Sequence, residues 1–233
     1  MEVEILHLLE GAKQAKGIAV IIDVFRAFTV EAYLVQGKAE KIIPVGEVER
    51  AFQFRQENPS VVLIGERNGK KVEGFDFGNS PSQVAPVDFT GKTVVHTTSA
   101  GTQGIANAVH AEEILSGSLV NAAAIARYIR RKNPAHVSLV CMGWNAREQT
   151  EEDTLCARYI KSLLEGHPIP DIQQEADHLK DYPCGAKFFD PMQQEVFPEP
   201  DFALCTNVDT FDFVLRLTKD PETGLAYMEK VCC

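Results

Sequence analysis

The sequence has no apolar run near the ~20 residues needed to cross a bilayer. Its start, Met1-Glu2-Val3-Glu4, has neither the basic residues nor the long apolar stretch of an export signal. Membrane insertion and secretion are therefore not expected, and a cytoplasmic location is. Positive charge is scarce as well: 23 Lys and Arg stand against 33 Asp and Glu in 233 residues, for a net charge of −10. A nucleic-acid binder needs clustered bases to displace counterions from phosphates, and the single basic cluster, Arg127, Arg130, Arg131 and Lys132, suits a helix C-terminus instead. No nucleic-acid partner is expected. The six cysteines show no Cys-x-x-Cys spacing, which argues against structural zinc and for reduced thiols. Neither a Gly-x-Gly-x-x-Gly fingerprint nor a Gly-Lys-Ser/Thr phosphate loop is present, so dinucleotide and P-loop chemistry have no support.

What remains is a globular composition, with 45% hydrophobic and 24% charged residues, that can bury a real core. Gly17–Ile22 is a doubly apolar run suited to a central strand covered on both faces. A helical pattern over 26–36 follows, and the alternation continues. It predicts strands at 41–45, 61–65, 93–97, 113–115 and 136–142, with helices at 47–56, 101–111, 119–132 and 151–165. This predicts an α/β fold, three-layer α/β/α with a largely parallel or mixed central sheet. Residues 1–165 read as the catalytic core. Residues 166–233 hold 13 of the 33 acids, five of the 23 bases and seven of the 12 prolines, and read as an acidic, loop-rich C-terminal lobe packed on that core. Its one amphipathic stretch is near 209–217. The lobe is also a candidate subunit contact, so a homodimer is a second expectation, and Cys232-Cys233 is a candidate crosslink.

Ligands of such sheets gather at the carboxyl ends of strands, and four of these ends carry polar residues. Asp23, at the tip of the first buried run, can hold Mg²⁺ while Arg26 contacts phosphate, or Asp23 can simply cap the next helix. Gly65-Glu66-Arg67 opens a glycine-rich loop that continues through Asp76 and Asn79 to Ser80-Pro81, an ordinary helix start. Thr97-Thr98-Ser99-Ala100-Gly101-Thr102 has the hydroxyls and glycine of an anion cradle, or of a plain capped helix. Thr150 and Asp153 resemble a capping box, although Asp153 is also within reach of a metal role. Cys141 reads as a buried structural thiol.

The order of these motifs is specific: Asp23-x-x-Arg26-Ala27, Gly65-Glu66-Arg67, Gly74-Phe75-Asp76-x-x-Asn79-Ser80-Pro81, Thr97-Thr98 before Gly101-Thr102, Leu115-Ser116-Gly117-Ser118 with Asn121, and Glu152-Asp153. Together they resemble the 2-phosphosulfolactate phosphatase family over about Ile18 to Glu165. The resemblance implies a Mg²⁺-dependent phosphatase that converts 2-phospho-3-sulfolactate into 3-sulfolactate and phosphate, a step towards coenzyme M, with a small anionic phosphate ester as its partner. Carried over residue by residue, it points to Asp23, Arg26, Glu66, Arg67, Asp76, Asn79, Ser80, Thr97, Thr98, Gly101, Thr102 and Asp153, without settling their roles. Chemistry assigns Asp23, Arg26 and Asp76 to catalysis, Arg67, Asn79, Ser80, Thr97, Thr98, Gly101 and Thr102 to substrate binding, and Asp23, Glu66 and Asp153 to the metal. Chemistry suggests that Asp76 orients the attacking water. Three positions in two segments depart from the family pattern: Phe28 replaces a small hydroxyl residue, and Ala100-Gly101-Thr102-Gln103 replaces Asn-Gly-Thr-Arg.

Overall fold

The computed structural model describes residues 1–232, so Cys233 and its part in the candidate crosslink lie outside the described residues. The first half of the chain forms β1 (Glu2–His7), α1 (Leu8–Gln14), β2 (Gly17–Ile22), α2 (Ala27–Gln36), β3 (Lys41–Pro44), α3 (Val48–Glu57), β4 (Val62–Arg67), β5 (Lys70–Lys71), α4 (Pro81–Val84) and β6 (Thr93–Thr97). There follow α5 (Gly101–Asn107), β7 (Ala111–Gly117), α6 (Ala122–Lys132), β8 (His136–Cys141), α7 (Glu151–Glu165), α8 (Ile172–Asp177), α9 (Pro183–Ala186), α10 (Glu199–Thr206), β9 (Phe213–Lys219) and β10 (Ala226–Cys232). The fold is α/β, as the alternation predicts.

The sheet has ten strands in the order β1-β8-β2-β7-β9-β10-β3-β6-β4-β5. Two parallel blocks, β1-β8-β2-β7 and β3-β6-β4, are joined by the antiparallel hairpin β9–β10. The tail therefore does more than form loops on the core. Its 209–217 stretch runs into β9, a strand that completes the middle of the sheet. Residues 1–14 add an edge strand and a helix beyond the predicted series. The alternation of Glu2, Val3, Glu4 and Ile5 was the available signal for that strand.

All six residues of β2 are buried. Ile18, Val20 and Ile22 point into one apolar layer with α6 and α7, whereas Ala19 and Ile21 point into the other with α1, α2 and α5. This two-residue period follows from the alternating direction of side chains along a strand. A third cluster packs Ala51 of α3 on Ile43, Leu63 and Val95. No helix among the described residues is long and apolar enough to cross a membrane.

Candidate active site

β2 and β4 lie six positions apart in the sheet order, a span of roughly 29 Å if the sheet were flat. Yet one short turn touches both of their carboxyl ends. The turn after β6 donates the Ser99 N–H to Glu66 Oε1 at 2.6 Å and the Gly101 N–H to Asp23 Oδ2 at 2.8 Å. The sheet must therefore curl strongly, and its curl makes the site. Asp23 and Glu66 face a common narrow cleft, lined also by Arg26, Gly69, Asn79, Ala100, Trp144 and Phe197. Five of these residues, Arg26, Gly69, Asn79, Trp144 and Phe197, also line a wider groove.

The Thr97–Thr102 turn is a cradle for carboxylates, but they are the protein's own. Glu66 Oε2 also accepts from the Gly69 N–H at 2.6 Å and the Ser99 hydroxyl at 3.2 Å. The Thr102 N–H goes to Thr98 Oγ1 at 3.1 Å, and the Thr98 N–H returns to Thr102 Oγ1 at 2.9 Å. Gly101 and Thr102 thus have no free amide for a substrate anion. Thr97 binds Arg67 at 2.9 Å through its hydroxyl, and Arg67 also holds Gly46 O. These residues shape the site from behind. Gln103 belongs to the same brace, donating to Gly46 O at 2.8 Å. The Phe28 ring is buried in the core against Gly101.

Asp23 combines both readings of its position. Oδ1 accepts the Ala27 N–H at the start of α2 at 3.1 Å, as a helix-capping acid does, while the carboxylate still faces the cleft. Burial pushes its pKa up to about 7, and the charges of Glu66 and Glu152 add to this against the Ala27 and Gly101 N–H bonds. Asp23 and Glu66, both buried and both on this cleft, form an oxygen donor set that fits a hard divalent cation, which takes one or two carboxylates plus water. Asp153 lies behind them. Its two oxygens accept the Val24 N–H at 2.8 Å and the Gly143 N–H at 2.7 Å, so it ties the loop after β2 to the loop after β8. Thr150 makes no side-chain cap, and the capping box is not formed. Burial, then Glu152 and Asp23, hold the Asp153 carboxyl well above its usual range. Cys141 is a buried thiol donating to Asp153 O, its pKa pushed far up by burial.

Glu151, Glu152 and Cys184 also bring ligand atoms within 4.8 Å of one another. Burial and the two glutamates keep the Cys184 thiol protonated, and Lys187 stands near Glu152 as its counter-charge, so this cluster reads as an internal polar group.

Asp76 is placed apart from Asp23 and Glu66. Its Oδ2 accepts the Leu63 N–H at 2.7 Å and pairs with Arg55, which pins the loop after β5 to β4. It reaches only the outer groove, and an oxygen so committed is poorly placed to orient water at Asp23. Ser80 precedes α4 as expected, but its hydroxyl turns to Asp201 Oδ1 at 2.9 Å. Asp201 of α10, fully buried, also accepts from the Ser82 N–H at 2.9 Å and from Arg26 Nη1 at 2.7 Å. Sequence reasoning missed Asp201, because nothing local marks an acid in a proline-rich segment as a partner for Arg26.

Two further groups escaped it. Lys187 places its ammonium 4.5 Å from the Trp144 ring and 4.9 Å from the Phe197 ring, which is also 4.9 Å from Arg26. Burial, with Arg26 adding to it, lowers the Lys187 pKa. Behind Asn79, the His96 Nε2 lies 3.1 Å from Asn79 Oδ1, and His96 Nδ1 lies 3.0 Å from Glu31 Oε1. A histidine following Val94-Val95 in a buried strand was the one available signal.

A sequence model of the family described as 2-phosphosulpholactate phosphatase matches residues 4–220. The chain belongs to the 2-phosphosulpholactate phosphatase family. Its similarity to individual members extends over most of its length. It is 31% identical to a Bacillus subtilis (strain 168) protein over 207 residues, 88% of this chain and 89% of the relative. It is 33% identical to a Caldanaerobacter subterraneus subsp. tengcongensis protein over 212 residues, 85% and 86% of the two chains. A shorter match, 39% over 145 residues, covers 62% of this chain and 62% of a Thermotoga petrophila protein. Each relative is named probable 2-phosphosulfolactate phosphatase. The family match runs through Asp201 and into β9, so this phosphatase-family chain includes the segment that completes the site.

Proposed function

We propose that this protein is a Mg²⁺-dependent phosphatase acting on 2-phospho-3-sulfolactate, releasing 3-sulfolactate and phosphate in the cytoplasm. The observation that carries this reading is the meeting of Asp23 and Glu66 in one cleft beside Arg26, in a chain of a phosphatase family. Asp23 and Glu66 would hold the metal directly or through water, with Asp153 fixing the loops that carry Asp23 and Gly143. When bound, magnesium supplies positive charge against the oxygens of the transferring phosphoryl group. In the reaction, a water oxygen bonds to phosphorus, the bond from phosphorus to the C2 oxygen breaks, and that oxygen leaves with a proton as the hydroxyl of sulfolactate.

The chain's own groups bind and orient this substrate. Arg26, held by Asp201 through Nη1 and by Gly69 O through Nη2, is a fixed cation at the cleft wall. Lys187 stands behind the Phe197 ring, outside the cleft lining. Arg26 suits an ester that carries phosphate, sulfonate and carboxylate, and a bound magnesium would supply the further positive charge that an acidic cleft needs to receive so anionic a ligand. Trp144 and Phe197 wall the cleft and limit the water around the ester.

The test is phosphate release from 2-phospho-3-sulfolactate and phospholactate, side by side, with Mg²⁺ and with EDTA. Metal-dependent release favouring the sulfonate is expected. A preference for phospholactate would move the substrate to another 2-hydroxyacid phosphate, and release from neither by the folded protein would defeat this substrate and leave a different phosphate ester or a binding role.

A further inference from the structure

Asn79 lines the cleft, and its carboxamide has two chemically opposite ends: Oδ1 accepts hydrogen bonds and Nδ2 donates them. Which end faces the cleft decides whether the residue attracts or repels an anion. Oδ1 is held 3.1 Å from His96 Nε2, so the donor end is left for the cleft, where Nδ2 has no partner among the described residues. That orientation requires a hydrogen on Nε2, because an amide oxygen cannot donate. The ring is fixed in turn by Glu31, whose Oε1 lies 3.0 Å from Nδ1.

The Glu31–His96 pair is fully buried, and Glu31 Oε2 has no hydrogen-bond partner. Such groups are costly to bury, and apolar residues of similar volume at both positions would cost stability little or nothing. The pair makes sense as a fixture for something else, and its one polar contact towards the cleft is Asn79. Both of its supports come from elements that already build the site: α2 follows Asp23 and Arg26, and β6 leads into the turn that binds Asp23 and Glu66.

We propose that the buried Glu31–His96 pair is a positioning device that turns Asn79 so that its N–H donors face the phosphate oxygens of the substrate. It rests on the phosphatase reading and adds how the cleft recognises an anion. His96 acts through Asn79, so it is a positioning residue and does not itself touch the substrate.

The experiment uses the full chain and inorganic phosphate as the probe, with binding followed by calorimetry. His96→Leu and Asn79→Ala each weaken phosphate binding about tenfold, in line with loss of a hydrogen bond to a charged group. The double variant is no weaker than Asn79→Ala alone. His96→Gln, whose amide nitrogen can stand in for Nε2–H, stays within about threefold of the wild type. Additive losses, or a His96→Leu protein that binds phosphate as the wild type does, overturn the proposal. If His96→Leu does not fold, long-range proton–nitrogen NMR on the wild type decides: a protonated Nε2 supports the assignment and a bare Nε2 overturns it. These readouts do not depend on turnover, so failure of the phosphatase reading shows separately, as absent phosphate release by the wild type.

Discussion

Asp201 and Arg26 are 175 residues apart in sequence and form a buried ion pair of 2.7 Å, with Ser80 and Ser82 bonded to the other oxygen of the same carboxylate. One acid of the C-terminal segment thus fastens the loop after β2 to the start of α4. Removing it leaves the Arg26 guanidinium buried without its counter-charge. Asp201→Ala is expected to cost about 3–5 kcal/mol in urea unfolding and to abolish phosphate release. Asp201→Asn keeps some of the hydrogen bonds and should fall between. A loss below about 1 kcal/mol would mean that Arg26 finds another partner and that the pair is not what holds the wall.

The metal-free protein should lose stability as pH rises through the acid range. The Asp23 pKa is raised from 3.8 to about 7, first by burial and then by Glu66 and Glu152. A carboxyl raised in the folded state binds its proton more tightly there than in the unfolded chain. Its contribution is therefore most favourable below about pH 4, declines between about pH 4 and about pH 7, and is flat above. The size is on the order of 4 kcal/mol across that window, and Glu152 and Asp153, also raised, act in the same direction. Asp23→Asn sets an amide against the Ala27 or Gly101 N–H, a loss independent of pH, so the slope is what to compare. Urea midpoints at pH 5 and pH 7 should differ less in Asp23→Asn than in the wild type, and equal slopes would contradict the assignment.

Adding magnesium should remove much of that strain. With Mg²⁺ in excess of its dissociation constant, thermal unfolding at pH 7 should move upward by several degrees, about 2.7 kcal/mol for a hundredfold excess. EDTA should reverse it, and Asp23→Asn or Glu66→Gln should lose most of the response. A metal shift retained in both variants would place the ion elsewhere, with the Glu151, Glu152 and Cys184 cluster the next position to test.

Gly101 is a site residue through its lack of a side chain. A Cβ there would meet Asp23 Oδ2 and the Phe28 ring at 2.9 Å and Ala27 Cβ at 3.0 Å. Gly101→Ala is expected to push on the Asp23 carboxylate, costing about 1–3 kcal/mol as overpacking does and lowering phosphate release about tenfold or more. Phe28→Leu in the same chain would give the methyl room. Recovery of activity in that double variant is the measurement, and no recovery would show that the Asp23 contact itself is limiting.

Local pattern was a sound guide to the alternating elements from 17 to 165, because apolar periodicity and glycine stops act over a few residues. It was also sound for the strand-end positions of Asp23 and Glu66. It could not distinguish a substrate cradle from a turn that binds the protein's own acids. Gly101 and Ser99 have the same local chemistry in either case, and what lies opposite their amides is set by residues 78 and 33 positions away. Asp76 is a second case: an acid in a glycine-rich loop carries no local sign that Arg55 and the Leu63 amide, 21 and 13 positions away, hold it.

The sequence by itself determined most of the alternating strands and helices from 17 to 165 and the polar residues waiting at their ends, since these depend on spacing along the chain. Only the tertiary structure decided that a hairpin from the tail joins the two parallel blocks, that the sheet curls to bring Glu66 to Asp23, and that Asp201 meets Arg26. Those contacts are long-range. Their energy is realised only when distant segments close on one another, and no local propensity records it.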